Sequence, residues 1–264
     1  MPQKIPRALT VAGSDSSGGA GIQADLKTFT ALGVYGLSVL TSVTAQNTLE
    51  VSGMHDLPEQ FVGLQIDAVM SDIGCDAAKL GMLSNEKIVE TVAEIIDKYA
   101  IEKLVVDPVM HSKGGTTLLR NSTELLKEEI IPRALIVTPN ITEAEILSSV
   151  SISNISDMKI AAEKIHSLGA KSVLVKGGHL AGTLPAVDIF FDGETFEELV
   201  SERIETKNTH GTGCTFSAAV CAFLAKGMSL SVSLENSKAF ITEAIRNSLE
   251  IGKGHGPLNH FGKT

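Results

Sequence analysis

Short apolar runs, each bounded by glycine or small polar residues, recur along this chain with amphipathic stretches between them. Ala8-Leu9-Thr10-Val11-Ala12 is the first and fits a buried strand. A small-residue loop, Gly13 to Gly21, follows, and then a helix over roughly Ile22 to Leu32 with Gly33 as its stop. Leu37 to Ala45 is strand-like, Pro58 opens a helix to about Met70, Ala77 to Gly81 is a strand, and Asn85 to Tyr99 is a capped helix. Further on, the strands are Lys103–Asp107, Ala134–Thr138 and Ser172–Lys176. Helices are predicted over Asn121–Ile130, Thr142–Ser148 and Ser156–Leu168. Val187–Phe191 and Phe196–Val200, joined by Asp192-Gly193, read as a hairpin. Two last helices cover about Cys214–Ala225 and Leu230–Leu249.

Strand and helix alternating at this cadence predict an α/β fold with a mostly parallel central sheet and helices on both faces. Neither a repeat nor a linker interrupts the pattern, so residues 1–264 are expected to form a single domain. The core must be aliphatic, because there is no Trp and there are only two Tyr. A net charge of −9 without a basic cluster argues against nucleic acid as a partner. No apolar run reaches the length of a membrane span, and Met1 to Arg7 lacks the apolar run of a signal peptide. Cys75, Cys214 and Cys221 have neither metal-pair spacing nor an even count. A reduced, cytoplasmic protein is the simplest expectation.

In open parallel sheets, ligands bind beyond the carboxyl ends of the strands. Those ends carry Gly13-Ser14-Asp15, Gln46-Asn47, Gly81-Met82, Asp107, Asn140 with Glu143, Lys176-Gly177-Gly178, and Gly211 to Cys214. The last stretch is a glycine turn feeding a helix start, where bare amides and the helix dipole favour an anion. At that first turn, the dipole is expected to lower the Cys214 thiol pKa, which makes Cys214 a candidate nucleophile or base. Bland readings compete. Gly18, Gly19 and Gly21 serve equally well as a packing turn. Asp107 before Pro108 suits a turn, Asn140 and Glu143 have capping-box spacing, and Lys176 suits a solvated strand end. Gly19-Ala20-Gly21-Ile22-Gln23-Ala24 imitates a dinucleotide fingerprint but lies well after its strand, and no acid ends the next one. The terminal Gly262-Lys263-Thr264 is no P-loop, with Pro257 where the first glycine belongs.

Taken together, Ala12 to Asp25, Thr44-Ala45-Gln46-Asn47-Thr48, Lys79-Leu80-Gly81-Met82, Asp107-Pro108-Val109-Met110, Thr138 to Ala144, Lys176-Gly177-Gly178-His179 and His210 to Thr215 resemble the hydroxymethylpyrimidine/phosphomethylpyrimidine kinases of thiamine biosynthesis, in the ribokinase-like superfamily. The likeness runs nearly end to end and in order. It implies ATP- and Mg²⁺-dependent phosphorylation of 4-amino-5-hydroxymethyl-2-methylpyrimidine and then of its monophosphate. It implies a pyrimidine pocket at Ala20, Asp25, Thr44, Gln46, Met82 and Val109, and Gln46 suits an aminopyrimidine edge because a carboxamide both donates and accepts. By the same resemblance Asp107 and Glu143 serve Mg²⁺, Asn140, Glu143, Lys176 and Thr212 serve the nucleotide, and Gly211, Gly213 and Cys214, with Lys176, form the catalytic set that holds the phosphoryl group in flight. Cys214 stands where many ribokinase-like enzymes have an aspartate base. The resemblance also implies a homodimer. A pyridoxal kinase of the same superfamily is the nearest rival, a pyrimidine-binding regulator without chemistry a more distant one, and a nicotinamide dehydrogenase a third.

Overall fold

The computed structural model describes residues 5–111, 115, 118–119, 122–178 and 185–261. The chain opens with β1 (Arg7–Asp15), α1 (Gly21–Ala31), β2 (Tyr35–Gln46), β3 (Val51–Asp56), α2 (Glu59–Asp72), β4 (Ala77–Leu80) and α3 (Glu86–Lys98). Next come β5 (Leu104–Val106), α4 (Thr123–Leu125) running on as a π turn, β6 (Ile136–Val137), α5 (Ile141–Ser148), α6 (Ile155–His166) and β7 (Val173–Val175). It closes with β8 (Ala186–Phe191), β9 (Phe196–Ser201), α7 (Thr212–Ala225) and α8 (Leu230–Arg246). The strands make one sheet in the order β3-β2-β1-β4-β5-β6-β7-β8-β9. From β2 to β7 all pairings are parallel, while β3, β8 and β9 add antiparallel margins.

The central strands are buried on both faces, which is why they read as unbroken apolar runs. Alternate residues point into different cores. Leu9, Leu104, Val106, Val137 and Val173 pack with Ile66, Ile88 and Val92 from α2 and α3, together with Ala161 and Ile165 from α6. Ala8, Val105, Ile136 and Leu174 pack on the opposite face against Phe29 of α1, Phe216 and Val220 of α7, and Ile241 of α8. Helix α7 lies in the middle of that second layer and is buried from Thr215 to Ala225. Its amino end therefore falls at the carboxyl edge of the sheet.

Two elements depart from expectation. Strand β3 is an exposed edge whose sequence, Val51-Ser-Gly-Met-His-Asp, lacks apolar alternation, so period gave no signal for it. Helix α7 starts two residues before Cys214, because Gly211 enters the left-handed region at φ 82° and takes the N-cap position. Of the predicted 111–115 loop, residues 112–114 lie outside the described residues, as does the first residue of the Asn121–Ile130 helix.

Candidate active site

Strand ends and helix starts converge on one cavity of about 790 Å³. Ala20, Thr44, Gln46, Met82, Val109, Asp107, Asn140, Glu143, Lys176, Gly211, Thr212, Gly213 and Cys214 all line it. Asp25 does not. The resemblance put it in the pyrimidine pocket, but its carboxylate has no exposure, lies against Lys79 Nζ and accepts a 2.7 Å bond from Thr10 Oγ1. It is a component of the floor beneath the cavity.

The turn before α7 has no side-chain cap, and its first helical bond is Thr215 N–H to Gly211 O at 2.8 Å. Gly213 and Cys214, in the first turn, have no acceptor within the helix, so their amides are available to an anion. Close packing enforces the glycine at 211 and crowds the one at 213. A Cβ at position 211 would sit 1.8 Å from Gly19 O, and one at 213 would sit 3.2 Å from Lys176 Nζ and 3.7 Å from Asp107 Oδ2. The open helix start is thus held against a charged pair.

That pair is Lys176 Nζ and Asp107 Oδ1, 2.7 Å apart, with Ser217 Oγ donating to the other Asp107 oxygen at 3.1 Å. Burial pushes the Asp107 carboxyl up, but Lys176 and Lys79 outweigh it and hold the group below its usual range. Burial lowers Lys176, and Asp107 with Glu143 more than reverses this, so the ammonium stays charged. Glu143 behaves differently. Burial, only partly offset by Lys176, pushes it up to about 7. It also completes a capping box on α5, in which Glu143 N–H donates to Asn140 Oδ1 at 3.0 Å and Asn140 N–H donates to Glu143 Oε2 at 2.9 Å. Capping and a place in the cavity therefore coincide in the same two residues.

Cys214 corrects an expectation. The helix start suggested an acidic thiol, but burial pushes it up to about 11, Lys79 opposing and Asp25 and Asp107 reinforcing. Lys79 Nζ is turned to the backbone carbonyl of Cys214 at 3.4 Å, and the thiol accepts from the Gly21 amide. At neutral pH this sulfur carries its proton.

Sequence reasoning put Asp15 at a ligand-facing strand end but gave neither it nor His210 a role. Asp15 Oδ1 accepts from the Ser17 amide and hydroxyl, and Oδ2 accepts from the Gly19 and Ala20 amides. The same Oδ2 lies 2.8 Å from His210 Nε2, tying the β1–α1 loop to the turn before α7. A separation of 195 residues hides such a pair from any local pattern. The far end of the cavity was missed. There Arg203 and Ile204, beyond β9, face Lys238, Ile241 and Thr242 of α8. Lys238 Nζ pairs with Asp188 Oδ2 at 2.7 Å, and Asp188 also accepts from the Gly177 amide. An apolar helix face carries no signal that distinguishes a ligand wall from a packing surface.

A bare helix start beside a fixed ammonium and carboxylates, in a cavity of about 790 Å³, defines a small-molecule phosphotransferase on a ribokinase-like fold. The pattern of the phosphomethylpyrimidine kinase family matches residues 15–259. A hydroxymethylpyrimidine/phosphomethylpyrimidine kinase of Bacillus subtilis is 51% identical over 97% of this chain and 95% of its own length. The crystal structure of a phosphomethylpyrimidine kinase from Clostridium difficile superposes with a TM-score of 0.81 at 47% identity, covering 92% of this chain and 100% of that one. A Staphylococcus aureus pyridoxal kinase, in complex with AMP-PCP and pyridoxal, superposes with a TM-score of 0.91 at 37% identity over 98% of this chain and 94% of that one. The chain belongs to the phosphomethylpyrimidine kinase family.

Proposed function

We propose that this chain moves the γ-phosphoryl group of ATP to the hydroxymethyl group of 4-amino-5-hydroxymethyl-2-methylpyrimidine, and then phosphorylates the monophosphate to the diphosphate. The observation that carries the reading is the open start of α7, set against Lys176 and Asp107 between two ends of one cavity. The Bacillus subtilis relative, named for both pyrimidine kinase activities, supports the substrate. The AMP-PCP complex of the Staphylococcus aureus enzyme supports a triphosphate donor.

On this reading the nucleotide lies along α8 and β9, with its phosphates directed at Lys176. The alcohol lies at Gln46, Thr44, Met82, Val109 and Ala20, bringing its oxygen toward Cys214 and the α7 amides. Gly211, Gly213 and Cys214 hold the charge on the transferred group, Lys176 neutralises it, and Asn140 and Thr212 border the phosphate path. Phosphoryl transfer passes through a loose transition state, so charge neutralisation and alignment dominate. A thiol held near 11 is a poor base at pH 7, which suits a reaction whose alcohol loses its proton late.

No group of three metal-ligating side chains occurs among the described residues. Asp107 and Glu143, both beside Lys176, nevertheless fit Mg²⁺, an ion that takes one or two carboxylates and fills its remaining positions with water and phosphate. When bound, it would neutralise phosphate charge.

Incubation with the hydroxymethylpyrimidine and MgATP, followed by product analysis, tests the reading; absence of mono- and diphosphate would refute it. Pyridoxal as a parallel substrate tests the nearest alternative. A homodimer and a cytoplasmic location complete the proposal. Exposed Val43 on β2 and Phe61 and Leu64 on α2 offer apolar surface for a second copy, and light scattering would read its mass.

A further inference from the structure

The carboxamide of Gln46 is gripped at both ends. In the structure Oε1 faces Thr44 Oγ1 at 3.1 Å and Nε2 faces His210 Nε2 at 3.4 Å, but the two ends are alike in shape and only their neighbours' protons tell them apart. Which end holds the oxygen follows from the neighbours. Thr44 has one hydroxyl proton, and it goes to the backbone carbonyl of Ser14 at 2.9 Å, which can only accept. Toward Gln46, Thr44 therefore offers only a lone pair. His210 Nε2 lies 2.8 Å from the Asp15 carboxylate, which can also only accept, so that nitrogen carries a proton whether the ring is neutral or charged. That proton is taken by Asp15, so toward Gln46 the ring offers no lone pair, only the positive edge of its N–H. Both neighbours call for the same arrangement, with Gln46 Nε2 toward Thr44 and Oε1 toward His210; the opposite arrangement sets acceptor against acceptor and donor against donor.

We propose that Asp15 and His210 are positioning residues that lock the Gln46 carboxamide in this orientation, and that the lock selects an amino-substituted ring and directs its hydroxymethyl group toward the turn before α7. The flanks use the outer lone pair of Oε1 and the outer proton of Nε2. The remaining lone pair and proton face the cavity side by side, the acceptor on the His210 side. A 4-aminopyrimidine meets them with its amino group on Oε1 and its ring N3 on Nε2. The amino group then lies on the His210 side, and carbon 5, next to it, carries its hydroxymethyl group in the direction of Gly211 to Cys214. The reversed carboxamide would turn that group away. His210 is buried, and a Cβ on Gly19 would sit 2.3 Å from its ring, so Gly19 closes directly on one side of the imidazole.

This inference rests on the pyrimidine kinase reading and is tested with two alcohols that differ in one edge. The 4-amino compound presents donor then acceptor, and its 4-oxo counterpart presents acceptor then donor. Wild type should favour the amino compound in kcat/KM by about 10³ or more, as expected for a site whose polar groups go unpaired with the wrong ligand. In His210→Phe the carboxamide is free to rotate, so the preference should fall at least about tenfold, through a higher KM for the amino compound and a gain for the oxo compound. A purely structural loss would lower both substrates together, and an unchanged ratio would overturn the proposal. On the unaltered protein, side-chain NMR of labelled Gln46 gives a second reading that needs no variant. Its amide protons should show contacts to the Thr44 methyl and none to the His210 ring, and the reverse would overturn the lock. If wild type phosphorylated neither alcohol, the functional reading would fall, while the NMR contacts would still decide the orientation of Gln46.

Discussion

Helices α5 and α7 both direct their amino ends into the same cavity, but they finish those ends in different ways. Helix α5 closes its start with its own side chains, Asn140 and Glu143 bonding reciprocally to each other's amides. Helix α7 begins with Gly211 and leaves the start open, with glycine where a side chain would strike Gly19 or Lys176. A capped start stabilises the helix and holds two polar side chains in place. An open start forgoes that stabilisation and keeps backbone donors available for a ligand. The fold thus places a capped helix start and an open one within a single cavity.

Charge beside the open start should show the largest effect. Lys176→Met removes the ammonium facing Gly213 and strands a buried Asp107, and should lower kcat on the order of 10³-fold with little change in fold, measured as steady-state turnover with MgATP. Retention of more than about a tenth of wild-type kcat would mean that the open start works without its counter-charge.

Support from behind the open start comes next. His260 Nε2 lies 2.8 Å from Thr215 Oγ1 in the first turns of α7, and burial, with Lys27 nearby, lowers its pKa to about 4. Because the unfolded chain takes up this proton first, the stability is fully present above about pH 6.5 and is lost as pH falls toward 4, by up to about 3 kcal/mol. In urea unfolding, His260→Gln should flatten that part of the pH profile relative to wild type; parallel profiles would show that His260 is not the group responsible.

The closed start should give the smallest effect. Asn140→Ala removes a cap and should cost about 1 kcal/mol of stability by denaturant titration, with kcat falling only several-fold. A loss of activity as deep as that of Lys176→Met would erase the distinction between the two starts.

The sequence made much of this legible, for identifiable reasons. Strands β1, β4, β5, β6 and β7 are buried on both faces, so each left an apolar run, and the rule that ligands bind at strand ends then gathered Asp107, Asn140, Glu143 and Lys176 onto one edge. Strand β3 left no trace because it is an exposed edge. Asp25 was placed in the pocket because motif resemblance does not reveal depth, and the lysine that occupies its carboxylate lies 54 residues away. The Cys214 thiol was expected to be acidic from its place on a helix, whereas burial, which depends on the whole fold, dominates it. Asp15 and His210 meet only in three dimensions, and no local signal marks them as partners.

The central claim is that the open backbone at the start of α7, and not the thiol it carries, does most of the work. Gly213→Pro takes away one amide proton at a position where no helical bond is lost, and Gly213→Ala controls for the added carbon facing Lys176. Cys214→Ser leaves every amide in place. Turnover of the hydroxymethylpyrimidine with MgATP, compared across the three variants, is the most direct test. Gly213→Pro should lose on the order of 10²-fold in kcat, well beyond Gly213→Ala, while Cys214→Ser stays within about tenfold of wild type. A Cys214→Ser variant less active than Gly213→Pro would contradict the account.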